Sequence, residues 1–141
     1  MKIKTLFLIG FALLTACSNE VKQTPLAAND VIVAFGDSLT VGYGTTNEFS
    51  YPAQLTKLLP QKIINAGITG EETKASLLRI DSVLQQYRPA LVLLCIGGND
   101  FLRKRSNKIT QNNIGLLINK IHQSGSRVVL IAVPELGLFL D

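Results

Sequence analysis

The sequence is poor in the residues that most often announce a function. It has one histidine, His122, and two cysteines, Cys17 and Cys95, in 141 residues. Two cysteines give no disulfide framework. Cys95 sits in the apolar run Leu91 to Ile96, where a thiol reads as a small buried apolar group. An excess of charge is also missing. The formal charge is +4, but Lys2 and Lys4 lie in an N-terminal leader, and the remainder carries twelve basic and ten acidic side chains. That near-balance gives no argument for nucleic-acid binding. Arg103, Lys104 and Arg105 do cluster, with Lys108 close behind, and read as a solvated loop rather than a phosphate or headgroup site. The apolar stretch from Leu6 to Leu14 is too short to span a bilayer comfortably. Neither internal repeats nor low-complexity segments occur. What remains is a length fit for one domain with one core.

The leader is informative. Two lysines, a short apolar core and then Leu14-Thr15-Ala16-Cys17 make a secretory signal. The last four residues resemble the bacterial lipobox, which implies acylation at Cys17 after removal of residues 1–16. Several acyl chains on one residue anchor stably, where one chain binds only marginally. Ser18 stands where Gram-negative lipoproteins retained at the inner membrane commonly carry Asp, so the resemblance implies export to the periplasmic face of the outer membrane. Residues 17–29 read as the acylated Cys and a mostly polar tether. The domain is expected over residues 30–141.

Within that domain strands alternate with helices. Asp30 to Phe35 is rich in β-branched residues and stops at Gly36, as a buried strand does. A helix is expected over Tyr51–Leu59, with Pro52 in its first turn. A short strand follows at Lys62–Asn65, then a helix over Glu71–Tyr87 with Leu77, Ile80, Leu84 and Tyr87 on one face. Ala90–Ile96 is apolar throughout, as a strand covered on both faces should be. Ile114, Leu117, Ile118 and Ile121 mark another helix, closed by Gly125, before a strand at Arg127–Val133. This alternation predicts an α/β fold with a parallel sheet and right-handed crossovers. Such sheets bind ligands beyond the carboxyl ends of their strands.

The unusual local sequences occur at those ends. Gly36-Asp37-Ser38-Leu39 follows the first strand, Asn65-Ala66-Gly67-Ile68-Thr69-Gly70 the second, and Gly97-Gly98-Asn99-Asp100 the third. Each alone is an ordinary turn or cap. Together and in order they suggest a site: an exposed hydroxyl at Ser38, a close backbone approach at Gly70, and a side-chain NH₂ donor at Asn99. A tetrahedral oxyanion calls for such donors around one attacking hydroxyl.

These blocks resemble the GDSL, or SGNH, hydrolase family, most closely its small bacterial thioesterase I, lysophospholipase and arylesterase branch, over about residues 30 to 135. The resemblance implies a flavodoxin-like three-layer fold and a serine ester or thioester hydrolase that uses no metal or organic cofactor. It implies Ser38 as nucleophile, with the Ser38 and Gly70 N–H groups and the Asn99 side chain as oxyanion donors. Asp37 and Asp100 lie beside the site in supporting positions. The implied substrates are small esters, thioesters or lysophospholipids, with the membrane met through Cys17 and no nucleic-acid partner.

Against the family pattern, the sequence up to Asp141 lacks the Asp-x-x-His block that supplies the base, and with it the fifth strand and last helix. A serine hydroxyl is a weak nucleophile without an adjacent base. His122, late on the helix before the fourth strand, is expected across the sheet from Ser38. The 141-residue chain is therefore expected to be nearly inactive, with its fourth strand as an uncovered apolar edge, extended by the apolar tail Leu136–Leu140. Two other readings stay open: a non-catalytic lipoprotein that binds acyl groups or carboxylates, and a half-enzyme completed by a partner chain.

Overall fold

The computed structural model of the chain describes residues 24–132. The leader 1–16, Cys17, the first part of the tether, Val133 and the tail 136–140 lie outside the described residues. The elements run β1 (Val31–Gly36), α1 (Ser38–Val41), a 3₁₀ turn (Asn47–Phe49), α2 (Tyr51–Leu58), β2 (Lys62–Gly67), α3 (Thr73–Tyr87), β3 (Leu91–Cys95), α4 (Gly98–Leu102), α5 (Asn107–Gln123) and β4 (Arg127–Leu130). The four strands form one sheet in the order β2-β1-β3-β4, every pairing parallel. This is the α/β arrangement that the alternation predicted.

The sheet's period of two sorts the apolar residues onto its faces. Val33 pairs with Val92 and Phe35 with Leu94. All four side chains point to the face covered by Ile80 and Leu84 of α3 and Leu117 and Ile121 of α5, and the eight residues are buried together. Burial of each aliphatic side chain contributes roughly 1.5–3 kcal/mol. The expected apolar face of α3 is thus the face it buries. On the other side of the sheet α1 and α2 lie against β2, and Asn65 Nδ2 donates to the carbonyl of Thr40 at 2.9 Å.

Several boundaries differ from the expected ones, for local reasons. β2 runs past Asn65 to Gly67 because β1 continues to offer ladder partners, Phe35 opposite Ala66 and Gly36 opposite Gly67. α3 starts at Thr73 rather than Glu71. Its first N–H is capped from a distance: Thr73 N donates to Asp100 Oδ2 at 2.9 Å and Thr73 Oγ1 to Asp100 Oδ1 at 2.6 Å. β4 ends at Leu130, the last residue paired across to β3, with one more bond from Ile131 N to the Leu94 carbonyl. The two short helices α1 and α4 carry no sequence periodicity, being only four and five residues long.

Two glycines are fixed by space. A Cβ on Gly36 would collide with the carbonyl oxygen of Cys95, and one on Gly67 would lie 2.6 Å from Val41 N. Gly115 in α5 has open space around it. Gly36→Ala is therefore expected to lose more than about 3 kcal/mol of stability, as a rigid backbone clash demands. Gly115→Ala should gain up to about 1 kcal/mol from helix propensity. Urea melts of the two variants check both signs. Among the described residues β4 is a sheet edge, with Val129 49% and Leu130 50% exposed. Exposed apolar edges favour pairing between chains. Val129→Lys should therefore lower self-association in light scattering while leaving the melting temperature within a few degrees.

Candidate functional site

The carboxyl ends of β1, β2 and β3 converge, and each delivers one of the three turn sequences. After β1, buried Asp37 caps α1: its Oδ1 accepts from Leu39 N at 3.0 Å and its carbonyl from Thr40 N and Val41 N at 3.1 Å each. Asp37 N donates to the Cys95 carbonyl at 3.3 Å. Held from both sides, Asp37 leaves Ser38 half-buried at the first helical position, at the open end of the sheet.

After β2, Ile68 N donates to the Gly36 carbonyl at 2.9 Å and the chain turns through Gly70 at φ +75°. Only glycine takes that conformation without strain. After β3, Gly97 at φ +113° swings the chain into α4, whose second residue is Asn99. Asn99 Nδ2 donates to the Glu71 carbonyl at 3.0 Å and lies 3.4 Å from Asp37 Oδ2. One side chain of the third block thereby touches the residue before Ser38 and the residue after Gly70. Among the described residues, the N–H groups of Ser38 and Gly70 meet no acceptor.

Asp100 lies beside Asn99 but faces inward, buried, with Thr73 on both carboxylate oxygens and Thr110 Oγ1 at 3.4 Å. It ties α4 to the start of α3 and so fixes the helix that carries Asn99.

Two further groups escaped the sequence reading. The buried Glu71 carboxylate receives Arg79 Nε and Nη2, both at 2.5 Å. Arg79 Nη2 also donates to the Ala66 carbonyl at 2.9 Å, and its guanidinium carbon stands 3.9 Å from the centre of the Phe35 ring. The second group adds a partner to the basic cluster, which lies exposed to solvent as expected. Arg103 Nη1 donates to the Gly70 carbonyl at 2.8 Å and to Glu72 Oε1 at 2.9 Å, and Arg105 Nε donates to Glu72 Oε2 at 2.6 Å. The three side chains stay partly open to water, but they latch the loop of the second block to the loop after α4. In the sequence, Glu71-Glu72 before a helix with Arg79 two turns on does not tell which acid turns inward.

Electrostatics follow from burial. Burial raises the Asp37 carboxyl above its ordinary range, and the nearby Glu71 and Asp100 charges add to this, while the Leu39 N–H opposes it. Burial likewise raises the Cys95 thiol, which is buried as expected. The hydrogen bond from Arg105 lowers Glu72. His122 is exposed in the last turn of α5, over a hollow lined by Leu91, Ser126 and Arg127 at the amino ends of β3 and β4. The sheet separates it from Ser38. Among the described residues no three His, Cys, Asp or Glu side chains are grouped to hold a metal ion.

Known proteins resemble this chain in sequence and fold. The profile of the GDSL-like Lipase/Acylhydrolase family matches residues 34–140. An arylesterase of Vibrio mimicus is 33% identical over 136 residues, covering 93% of this chain and 64% of its own length. The Escherichia coli K12 protein named thioesterase 1/protease 1/lysophospholipase L1 is 29% identical over 109 residues, covering 76% of this chain and 52% of its own length. The crystal structure of the psychrotrophic esterase EstA from Pseudoalteromonas sp., inhibited by monoethylphosphonate, superposes with a TM-score of 0.68 at 31% identity, covering 77% of this chain and 63% of that one. The chain thus spans between about half and just under two thirds of these relatives. With its sheet order, its three strand-end turns and the matched profile, the chain belongs to the GDSL-like lipase/acylhydrolase family, whose members hydrolyse carboxylic esters and thioesters.

Proposed function

We propose that this chain is the nucleophile-bearing part of a serine ester or thioester hydrolase that works through an acyl-Ser38 intermediate. The observation that carries the reading is the reach of Asn99 to the first and second turns, where the Ser38 and Gly70 N–H groups meet no acceptor among the described residues. Ser38 Oγ would attack the acyl carbon. The carbonyl π pair moves onto oxygen, and that oxyanion meets the N–H groups of Ser38 and Gly70 and the Asn99 amide. One Asn99 hydrogen is committed to Glu71 at 3.0 Å, and the other, with only the long 3.4 Å contact to Asp37, is the one free to turn. Collapse of the oxyanion expels the alcohol or thiol, which takes up the proton lost by Ser38. Water then repeats the attack and releases the acid. Fixed donors of this kind contribute about 3–4 kcal/mol each to the barrier.

The proton transfers need a base. Asp37 is buried and spent on capping α1, and His122 is at the other end of the sheet. Loss of the base from a serine hydrolase costs on the order of a million-fold in turnover. That favours a second reading for the 141-residue chain on its own: an oxyanion pocket that holds acyl or carboxylate groups without turning them over. The substrates proposed are small aryl or acyl esters, acyl thioesters and lysophospholipids. A lipid-anchored location through Cys17, on the periplasmic face of the outer membrane, belongs to the same proposal and rests on Leu14-Thr15-Ala16-Cys17.

The purified 141-residue chain should turn over p-nitrophenyl acetate no more than marginally. A fluorophosphonate should nevertheless label Ser38 slowly, with labelling lost in Ser38→Ala and about 10²–10³-fold slower in Asn99→Ala. Ordinary enzymatic turnover abolished by Ser38→Ala would refute the inactivity. Labelling unaffected by Asn99→Ala would refute the donor assignment.

Asp37 gives a pH test. Its folded-state pKa is raised, so the folded chain holds that proton more tightly than the unfolded chain does. This site's contribution to stability therefore falls as pH rises from the ordinary carboxylate range through the raised value. Asp37→Asn keeps an acceptor for Leu39 N and removes the charge. Thermal melts should show the variant gaining on the wild type between pH 4 and pH 7, and a difference that does not change with pH would refute the assignment.

A further inference from the structure

We propose that Arg79, acting through Glu71, is the positioning residue that sets the donors around Ser38. The proposal deepens the reading of Ser38, Gly70 and Asn99 given above and rests on it for its catalytic meaning. Glu71 is held at two ends. Its carboxylate accepts from Arg79 Nε and Nη2 at 2.5 Å each, and its main-chain carbonyl accepts from Asn99 Nδ2 at 3.0 Å. Arg79 is itself fixed to the sheet: Nη2 bonds the Ala66 carbonyl at 2.9 Å and lies 3.4 Å from that of Gly36, and the guanidinium is stacked on Phe35. It therefore measures the ends of β1 and β2 and passes their position to Glu71, one residue after Gly70. A bidentate, stacked guanidinium does this in a way that an ammonium cannot.

Burial makes the link stringent. The Glu71 side chain is 3% exposed. Without its partner it would be an unpaired buried carboxylate, which is strongly disfavoured, so the loop would have to move to reach water. The left-handed Gly70 beside it is the point at which such a movement meets least resistance. Turning Glu71 outward withdraws the acceptor that orients Asn99 and reorients the neighbouring Gly70 N–H. On the outer side Arg103 holds the Gly70 carbonyl, but it is exposed and its pull is screened by water and salt. The inner pair is the one that can fix the geometry.

A clamp that only held strand ends together would lower stability and leave Asn99 untouched. The proposal predicts a local signature instead. In ¹H–¹⁵N spectra of the full 141-residue chain, the Asn99 Nδ2 pair should move toward the positions of a solvated asparagine in Arg79→Lys. In the same variant the maximal rate of fluorophosphonate labelling at Ser38 should fall 10- to 100-fold, with the half-saturating concentration within twofold of wild type. Ile80→Val, a core change on the next residue of α3, should lower the melting temperature without either effect. Unchanged Asn99 signals in a folded Arg79→Lys chain overturn the proposal. If Arg79→Lys does not fold, Glu71→Gln takes its place: shifted Asn99 signals support the proposal and unchanged ones overturn it. If wild-type Ser38 does not label at all, the nucleophile reading fails, while the Asn99 signals still decide whether Arg79 sets that side chain.

Discussion

At the carboxyl end of β1 the backbone of Gly36 lies so close to Cys95 that no side chain fits between them. That approach governs the whole upper rim of the sheet. It lets Asp37 N reach the Cys95 carbonyl, which joins the first turn to the end of β3. On the other flank Gly67 leaves room for α1 and brings the second turn against the first. With β1 in the middle of three strands, the residues that follow them are drawn into one small region. A parallel sheet puts its strand ends on one side anyway. The missing Cβ atoms bring them within hydrogen-bond distance.

Such crowding collects acids. Asp37, Glu71 and Asp100 are all buried here. Each is accommodated differently. Asp100 is spent on Thr73 and the start of α3, Glu71 is neutralised by Arg79, and Asp37 has only the Leu39 N–H and a long contact to Asn99. Burial pushes the Asp37 carboxyl upward. The least satisfied acid therefore sits next to Ser38 and next to the Asn99 hydrogen that has no strong partner.

Much of this was legible from the sequence, because the fold's signals are local. Asp30–Phe35 read as a strand from its β-branched residues and Ala90–Ile96 from being apolar throughout, each within a residue of the strand that forms, and Ile80, Leu84, Leu117 and Ile121 read as core from helical spacing. The positions of Ser38, Gly70 and Asn99 followed from turn residues at strand ends. The pairing of Glu71 with Arg79 was not legible. Nothing in an eight-residue separation says that both side chains turn inward, and a buried ion pair has no composition signal. The basic cluster is exposed as read, but its partner was hidden for the same reason: Glu72 lies more than thirty residues earlier and comes beside Arg103 and Arg105 only in the fold. α1 and α4 are too short for any periodicity to register.

The direction of the helices settles how the chain divides its chemistry. In right-handed crossovers each connecting helix runs back along the strands, so α5 starts near the site and ends at the opposite rim. His122, in its last turn, is carried away from Ser38 by the same geometry that brings Asn99 toward it. No rotamer or loop adjustment reverses that, because the body of the sheet lies between them. Ser38, Gly70 and Asn99, by contrast, all lie at the other rim, at or just after the carboxyl ends of β1, β2 and β3. On the proposed reading, the placement of Asn99 by Glu71 and Arg79 and the activation of Ser38 by a proton acceptor are therefore separable.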